Sequence, residues 1–149
     1  MRVENFLQES ARRFPEKTAI ACGERRLTFR EMDAAAARLA ATLRARGVGR
    51  GDRVVIFLDN SPEAVVGIFG VLKAGGVFSV VNPGTKLDKL AYILNNCTAR
   101  AILTEPRLQA TAEEAAKGAP SVAFTLVAPF EGPAAEPGAP GIDLDLAMI

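Results

Sequence analysis

Few residues in this chain could act on a substrate, and their types exclude more than they permit. Histidine is absent. That removes serine–histidine, cysteine–histidine and histidine–metal chemistry from anything the chain does alone. The two cysteines, Cys22 and Cys97, are far apart and lack metal-ligand spacing. They read as free thiols of a reducing compartment, which places the protein in the cytoplasm. Asn96-Cys97-Thr98 matches a glycosylation sequon, but no signal peptide precedes it and the match reads as chance. Asp59 stands alone, whereas a metal or phospho-acceptor site needs clustered acids. No catalytic residue and no metal ligand is expected.

Two glycine-bearing turns remain. Gly47-Val48-Gly49-Arg50-Gly51 has the composition of a phosphate loop but the wrong position. A phosphate loop follows a strand and opens a helix; this one follows a helix and opens a strand, so it reads as a connector. Gly84-Thr85-Lys86 is not Gly-Lys-Thr and lacks the upstream glycine spacing. The turn Asn82-Pro83-Gly84 is the one local candidate for ligand contact. It lies at the carboxyl end of a predicted strand, where open α/β sheets place ligands. An ordinary βα turn is the plainer reading of the same residues.

The elements that position these turns centre on Asp52 to Pro83. Val54 to Leu58 is an unbroken apolar run, suited to a strand buried on both faces. Ser61-Pro62-Glu63 then predicts a helix start: a capping hydroxyl, proline at the first helical position, and an acid at the positive end of the dipole. Gly75-Gly76 ends that helix, Val77 to Val81 predicts a second strand, and Asn82-Pro83 closes it. This is a βαβ unit with a right-handed crossover. Lys73, near the end of the apolar helix, is expected to snorkel or pack. A membrane span is not expected: Lys73 and Gly75-Gly76 interrupt a run that falls short of the ~20 residues needed.

Upstream, residues 3–13 have helical spacing, and Thr18 to Cys22 and Arg25 to Thr28 flank Gly23-Glu24 as a hairpin. Thr28-Phe29-Arg30-Glu31 reads as a capping box. Met32, Ala36, Leu39 and Leu43 form one buried stripe, with Arg38, Arg44 and Arg46 towards water and Gly47 at the end. Downstream, Thr85 is expected to cap a helix carrying Leu87, Leu90, Ala91 and Leu94. Ala101 to Thr104 predicts a strand, Pro106 to Lys117 a helix, and Ser121 to Val127 a strand. The expected fold is α/β: a doubly wound, mainly parallel sheet with flanking helices and an N-terminal β-hairpin. Val54, Ile56, Ile68, Phe69, Leu72, Val80, Leu94 and Ile102 are its expected core.

Composition bounds the rest. At 149 residues, 49% hydrophobic and 23% charged, this is one globular domain's worth of chain. A net charge of +1 does not imply nucleic acid as a partner. Residues 1–75 carry 13 basic and 9 acidic groups and residues 76–149 carry 5 and 8, which reads as two solvated faces. Ala128 to Gly141 is rich in Pro, Gly and Ala and reads as an exposed connector. Ile142 to Ile149 turns apolar again, as the start of a further strand.

Two stretches now carry a resemblance. One is Leu27-Thr28-Phe29-Arg30-Glu31-Met32, continued by Leu39-Ala40, Leu43 and Gly47 to Val54. The other is Leu72-Lys73-Ala74-Gly75-Gly76-Val77-Phe78-Ser79-Val80-Val81-Asn82-Pro83. With Leu90 to Leu94 and Ala101 to Thr104, they resemble the amino-terminal portion of the adenylate-forming (AMP-binding) enzymes. That superfamily includes acyl-CoA and aryl-CoA synthetases, nonribosomal adenylation domains and luciferases. The resemblance covers about residues 3–127, and its motifs are structural, not catalytic.

The resemblance implies the first subdomain of the family's large domain. Residues 1–127 would be the α/β subdomain, 128–141 a connector, and 142–149 the run-up to a phosphate-gripping loop. It also implies an AMP-forming acid–thiol ligase. Such an enzyme uses ATP and Mg²⁺ to activate a carboxylic acid as its adenylate, then transfers the acyl group to CoA. The family's phosphate loop, its adenine and ribose segments and its small carboxy-terminal domain are not in these 149 residues. The expectation is therefore an amino-terminal fragment, inactive alone, partnered by the remainder of the enzyme. Asn82-Pro83-Gly84 would face the CoA side. Three other readings stay open: a nonribosomal-type adenylation fragment, a free-standing α/β binding module, and a structural partner completing a separately encoded catalytic chain.

Overall fold

The computed structural model describes residues 2–130. Helix α1 (Val3–Arg13) leads into the hairpin β1 (Thr18–Cys22) and β2 (Arg25–Thr28). Then follow α2 (Phe29–Ala45), β3 (Arg53–Phe57), α3 (Pro62–Lys73), β4 (Val77–Val80), α4 (Leu87–Asn96), β5 (Ala101–Thr104), α5 (Gln109–Lys117) and β6 (Phe124–Val127). Strands β3 to β6 form one sheet in the order β4-β3-β5-β6, every pair parallel.

Alternation along β3 divides the core. Val54, Ile56 and Leu58 join Met32, Ala36, Leu39 and Leu43 of α2 and Val66 and Val71 of α3. Val55 and Phe57 face the other way, towards Leu90 and Leu94 of α4 and Ala112 and Ala115 of α5. Successive side chains point to opposite faces, so a strand covered by helices on both sides must be apolar throughout. The chain moves one way across the sheet from β3 to β4, and the other way from β4 to β5 and β6. Crossovers of one hand then require α3 on the face opposite α4 and α5, as observed.

Local signals set the helix starts. Ser61 Oγ accepts from Ala64 N at 3.2 Å, with Pro62 in the first turn. The capping box is complete: Glu31 N donates to Thr28 Oγ1 at 3.2 Å and Thr28 N donates to Glu31 Oε2 at 2.8 Å. That backbone bond, then the Thr28 hydroxyl, holds the Glu31 carboxyl below its ordinary range. Helix α3 crosses α2 closely at Gly70, where a Cβ would stand 2.6 Å from Leu39 Cδ2.

Several expectations need correction. Val80 is 56% exposed, because it ends β4, the outer strand of the sheet. Ile68 and Phe69 are half-buried, lying on the flanks of α3. The α4 N-cap is Lys86, not Thr85, and no side chain caps it. Arg44 does not simply face water: it is half-buried and donates to the Lys73 carbonyl at 2.9 Å. Lys73 itself pairs with Asp33 at 2.9 Å, tying α3 to α2. The last helix and strand begin three residues later than expected, at Gln109 and Phe124. Ala128 is buried against the core and donates to the Thr104 carbonyl at 2.8 Å. Most of the expected connector and all of residues 142–149 lie outside the described residues.

Candidate functional site

Between β3 and β5 the chain departs in opposite directions, so the loops at their carboxyl ends part and leave a crevice. In an open parallel sheet this topological switch point is where ligands bind. Here it is lined by Leu58, Ser61, Glu63, Glu105, Pro106, Ala128 and Pro129, around a space of about 370 Å³. The register Phe57↔Thr104 brings the two loops side by side. Beneath them Thr104, fully buried, donates its hydroxyl to the Phe57 carbonyl at 2.9 Å and ties the two strand ends together.

Charge at this end is cross-tied. Arg107 Nη2 donates to Asp59 Oδ2 at 2.6 Å and its Nε stands 3.4 Å from Glu105 Oε1. Asp59 N donates to Glu105 Oε2 at 3.2 Å. Across the mouth, Arg25 of the hairpin grips Glu63 through both nitrogens, at 2.6 and 3.2 Å. The hydrogen bond from Arg107 holds the Asp59 carboxyl below its usual range, and that from Arg25 does the same for Glu63.

Asp59 is therefore not alone, as the linear sequence suggested. Glu105 and Arg107 lie almost fifty residues downstream, and only strand pairing brings them to it. The usable signal was the residue following each apolar strand: in a parallel sheet those positions converge. The predicted turn Asn82-Pro83-Gly84 lies elsewhere, at the end of the outer strand β4. Its Gly84 N donates to Asn82 Oδ1 at 2.7 Å and Thr85 N donates to the Asn82 carbonyl at 2.9 Å. Those amides serve the turn itself. Cys22 and Cys97 are free thiols, and burial pushes the Cys97 thiol up.

The AMP-binding enzyme family matches the chain over residues 7–141. The chain belongs to that family. It is 37% identical over 103 residues to bacitracin synthase 1 of Bacillus licheniformis, a match covering 69% of this chain and 2% of that protein. It is 39% identical over 102 residues to a long-chain-fatty-acid–CoA ligase of Bacillus subtilis (strain 168), covering 68% of this chain and 18% of the ligase. In fold it superposes on the N-terminal domain of FACL13 from Mycobacterium tuberculosis with a TM-score of 0.90. That match has 22% identity and covers all of this chain and 41% of the other. The chain thus spans a small part of the length of its relatives.

Enzymes of the AMP-binding family use ATP with Mg²⁺. The crevice does not fit a polyphosphate. Its charged lining is Glu63 and Glu105, with Asp59 beside them, and Arg107 is already held by two of these carboxylates. Nor do three metal-ligating side chains gather anywhere among the described residues. No helix among them is long and apolar enough to cross a membrane.

Proposed function

We propose that this chain is the amino-terminal α/β portion of an ATP-dependent, AMP-forming ligase. That enzyme joins a carboxylic acid to a thiol, with CoA as the acceptor. The family match over residues 7–141 carries the reading, and the similarity to a long-chain-fatty-acid–CoA ligase supports the acceptor. In the complete reaction the carboxylate attacks the α-phosphate of ATP, pyrophosphate leaves, and the thiol displaces AMP from the acyl-adenylate. Donors and Mg²⁺ must meet the charge developing on the phosphates. The remainder of the enzyme supplies them, and this portion supplies a rigid sheet to dock against. In this reading the turn of Asn82, Pro83 and Gly84 faces the CoA side; with the Gly84 and Thr85 amides engaged within the turn, it contributes shape instead of hydrogen-bond donors. The free thiols suit a reducing cytoplasm.

A second reading is favoured by the 37% identity to bacitracin synthase 1: an adenylation domain that delivers its acyl group to a carrier-bound thiol. ATP–pyrophosphate exchange tests the common step. The 149-residue chain alone is expected to show none, and the longer enzyme containing it is expected to show exchange with its carboxylic acid. Robust exchange by the 149 residues overturns the reading. Thioester formation with free CoA, set against a carrier protein, decides between the two acceptors.

A further inference from the structure

The opposite, amino end of the sheet holds an unusual pair of arginines. Arg100 immediately precedes β5 and is pinned by its backbone: its N donates to the Arg53 carbonyl at 2.7 Å, and its carbonyl accepts from Ala123 N at 2.9 Å. Its guanidinium lies against the end of α2, where a Cβ on Gly47 would stand 3.1 Å from Arg100 Nη2. Arg46, next in the chain to Gly47, holds its guanidinium 5.3 Å from the centre of the Phe124 ring. Phe124 opens β6 and is the register partner of Ala101, the residue after Arg100. Both guanidinium groups therefore lie at this end of the sheet, on elements that adjoin through Gly47 and Phe124, and neither has a carboxylate partner among the described residues.

Arg100 Nε is also buried without a hydrogen-bond partner among the described residues. The Ser121 hydroxyl, in the lead-in to β6 at this same end, is a second buried polar group of that kind. Buried donors in native proteins are almost always satisfied, so an orphan asks for an acceptor. The carboxyl-terminal dipole of α2 favours a cation here but offers Nε no acceptor. Nor do the amides of the glycine-rich turn compete for one. Gly47, Val48, Gly49 and Gly51 all donate within the protein, to Arg44, Leu43, Asp52 and Gly75.

We propose that Arg46 and Arg100 bind a tetrahedral oxyanion, of the phosphate or sulfate class, at the amino end of the sheet. Two guanidinium forks arriving from different elements suit an acceptor with oxygens directed out of one plane. A planar carboxylate keeps its lone pairs in one plane and meets forks arriving from two directions less well. The site stands apart from the switch-point crevice and does not depend on the ligase reading.

The test takes the whole 149-residue chain, labelled with ¹⁵N, and titrates it with inorganic phosphate, sodium chloride holding the ionic strength constant. The Nε–H resonances of Arg46 and Arg100 are expected to shift together and to saturate. Arg100→Gln weakens the binding about tenfold or more, as loss of a charged hydrogen bond does. Arg46→Gln, on an exposed side chain, weakens it several-fold and carries the same decision should Arg100→Gln fail to fold. Arg107→Gln, at the other end of the sheet, leaves the titration unchanged. Acetate saturates only at higher concentration. No saturable shift, or one shared by all surface arginines, overturns the site. Acetate binding as tightly as phosphate also overturns it, since the natural acceptor would then be a carboxylate.

Discussion

At the carboxyl ends of β3 and β5, Asp59, Glu105 and Arg107 neutralise one another, whereas at the amino end of the sheet Arg46 lies over a phenyl ring, Arg100 lies beside Gly47, and neither pairs with a carboxylate among the described residues. The same strands run through both places. The difference follows from the βαβ topology. Helices return antiparallel to the strands, so helix amino termini gather at the carboxyl end of the sheet and helix carboxyl termini at its amino end. The dipoles favour acids at the first and bases at the second. Glu63 opens α3, while Arg44 and Lys73 close α2 and α3. Sorting by dipole explains where the charges are. It does not explain why arginines of one end balance acids while two at the other end do not.

The largest effect tests what the ends share. Phe57→Ala removes a fully buried ring from β3 and is expected to cost about 3–5 kcal/mol in urea denaturation. Both ends weaken together, because β3 is the strand they have in common. Hydrogen exchange confined to one end after this change would break the comparison.

Thr104→Val is local to the crevice. It removes the buried hydroxyl that bridges to Phe57 and is expected to cost about 1 kcal/mol in the same assay. Accelerated exchange should appear at Phe57 to Asp59 and at Glu105 to Arg107, with the amino end unchanged. Equal acceleration around Arg100 would show that the two ends are not independent.

The acid limb of stability sharpens the contrast in charge. Arg25 holds Glu63 below its usual range, so the folded carboxyl binds its proton later than the unfolded one as pH falls. The stabilisation is present above the unfolded value, about pH 4.3, and is lost as pH falls through the lowered folded value. Arg25→Met should therefore be less stable than the parent near neutrality and converge with it in acid, as followed by the urea midpoint against pH. A constant difference at every pH would remove Glu63 from the account.

The smallest effect belongs to the amino end. With no hydrogen-bond partner on its Nε and no carboxylate beside it among the described residues, Arg100→Met is expected to change stability by no more than about 0.5 kcal/mol in phosphate-free buffer. A loss of several times that would mean the guanidinium is held by a protein group.

Much of the fold was legible because its signals are short-range. Ser61-Pro62-Glu63 starts α3, Thr28 and Glu31 close on each other, and the stripe Met32, Ala36, Leu39 and Leu43 is buried throughout. Each depends on residues within a turn or two, where spacing alone fixes which side chains meet. The unbroken run Val54 to Leu58 announced a strand covered on both faces for the same reason.

Strand order was not legible in that way, and it decided the site. Val80 has the composition of a core residue, yet it ends an outer strand and stands in the open. Asp59 has no basic residue close in the chain and only Glu63 as a near acid, yet it lies against Glu105 and Arg107. Arg46 and Arg100 carry no mark of belonging together until β5 and β6 pair. By itself the sequence determined which segments are helices and strands and which faces they bury. Only the tertiary structure decided which strand ends adjoin, because lateral pairing joins residues far apart in the chain and leaves no local periodicity to read.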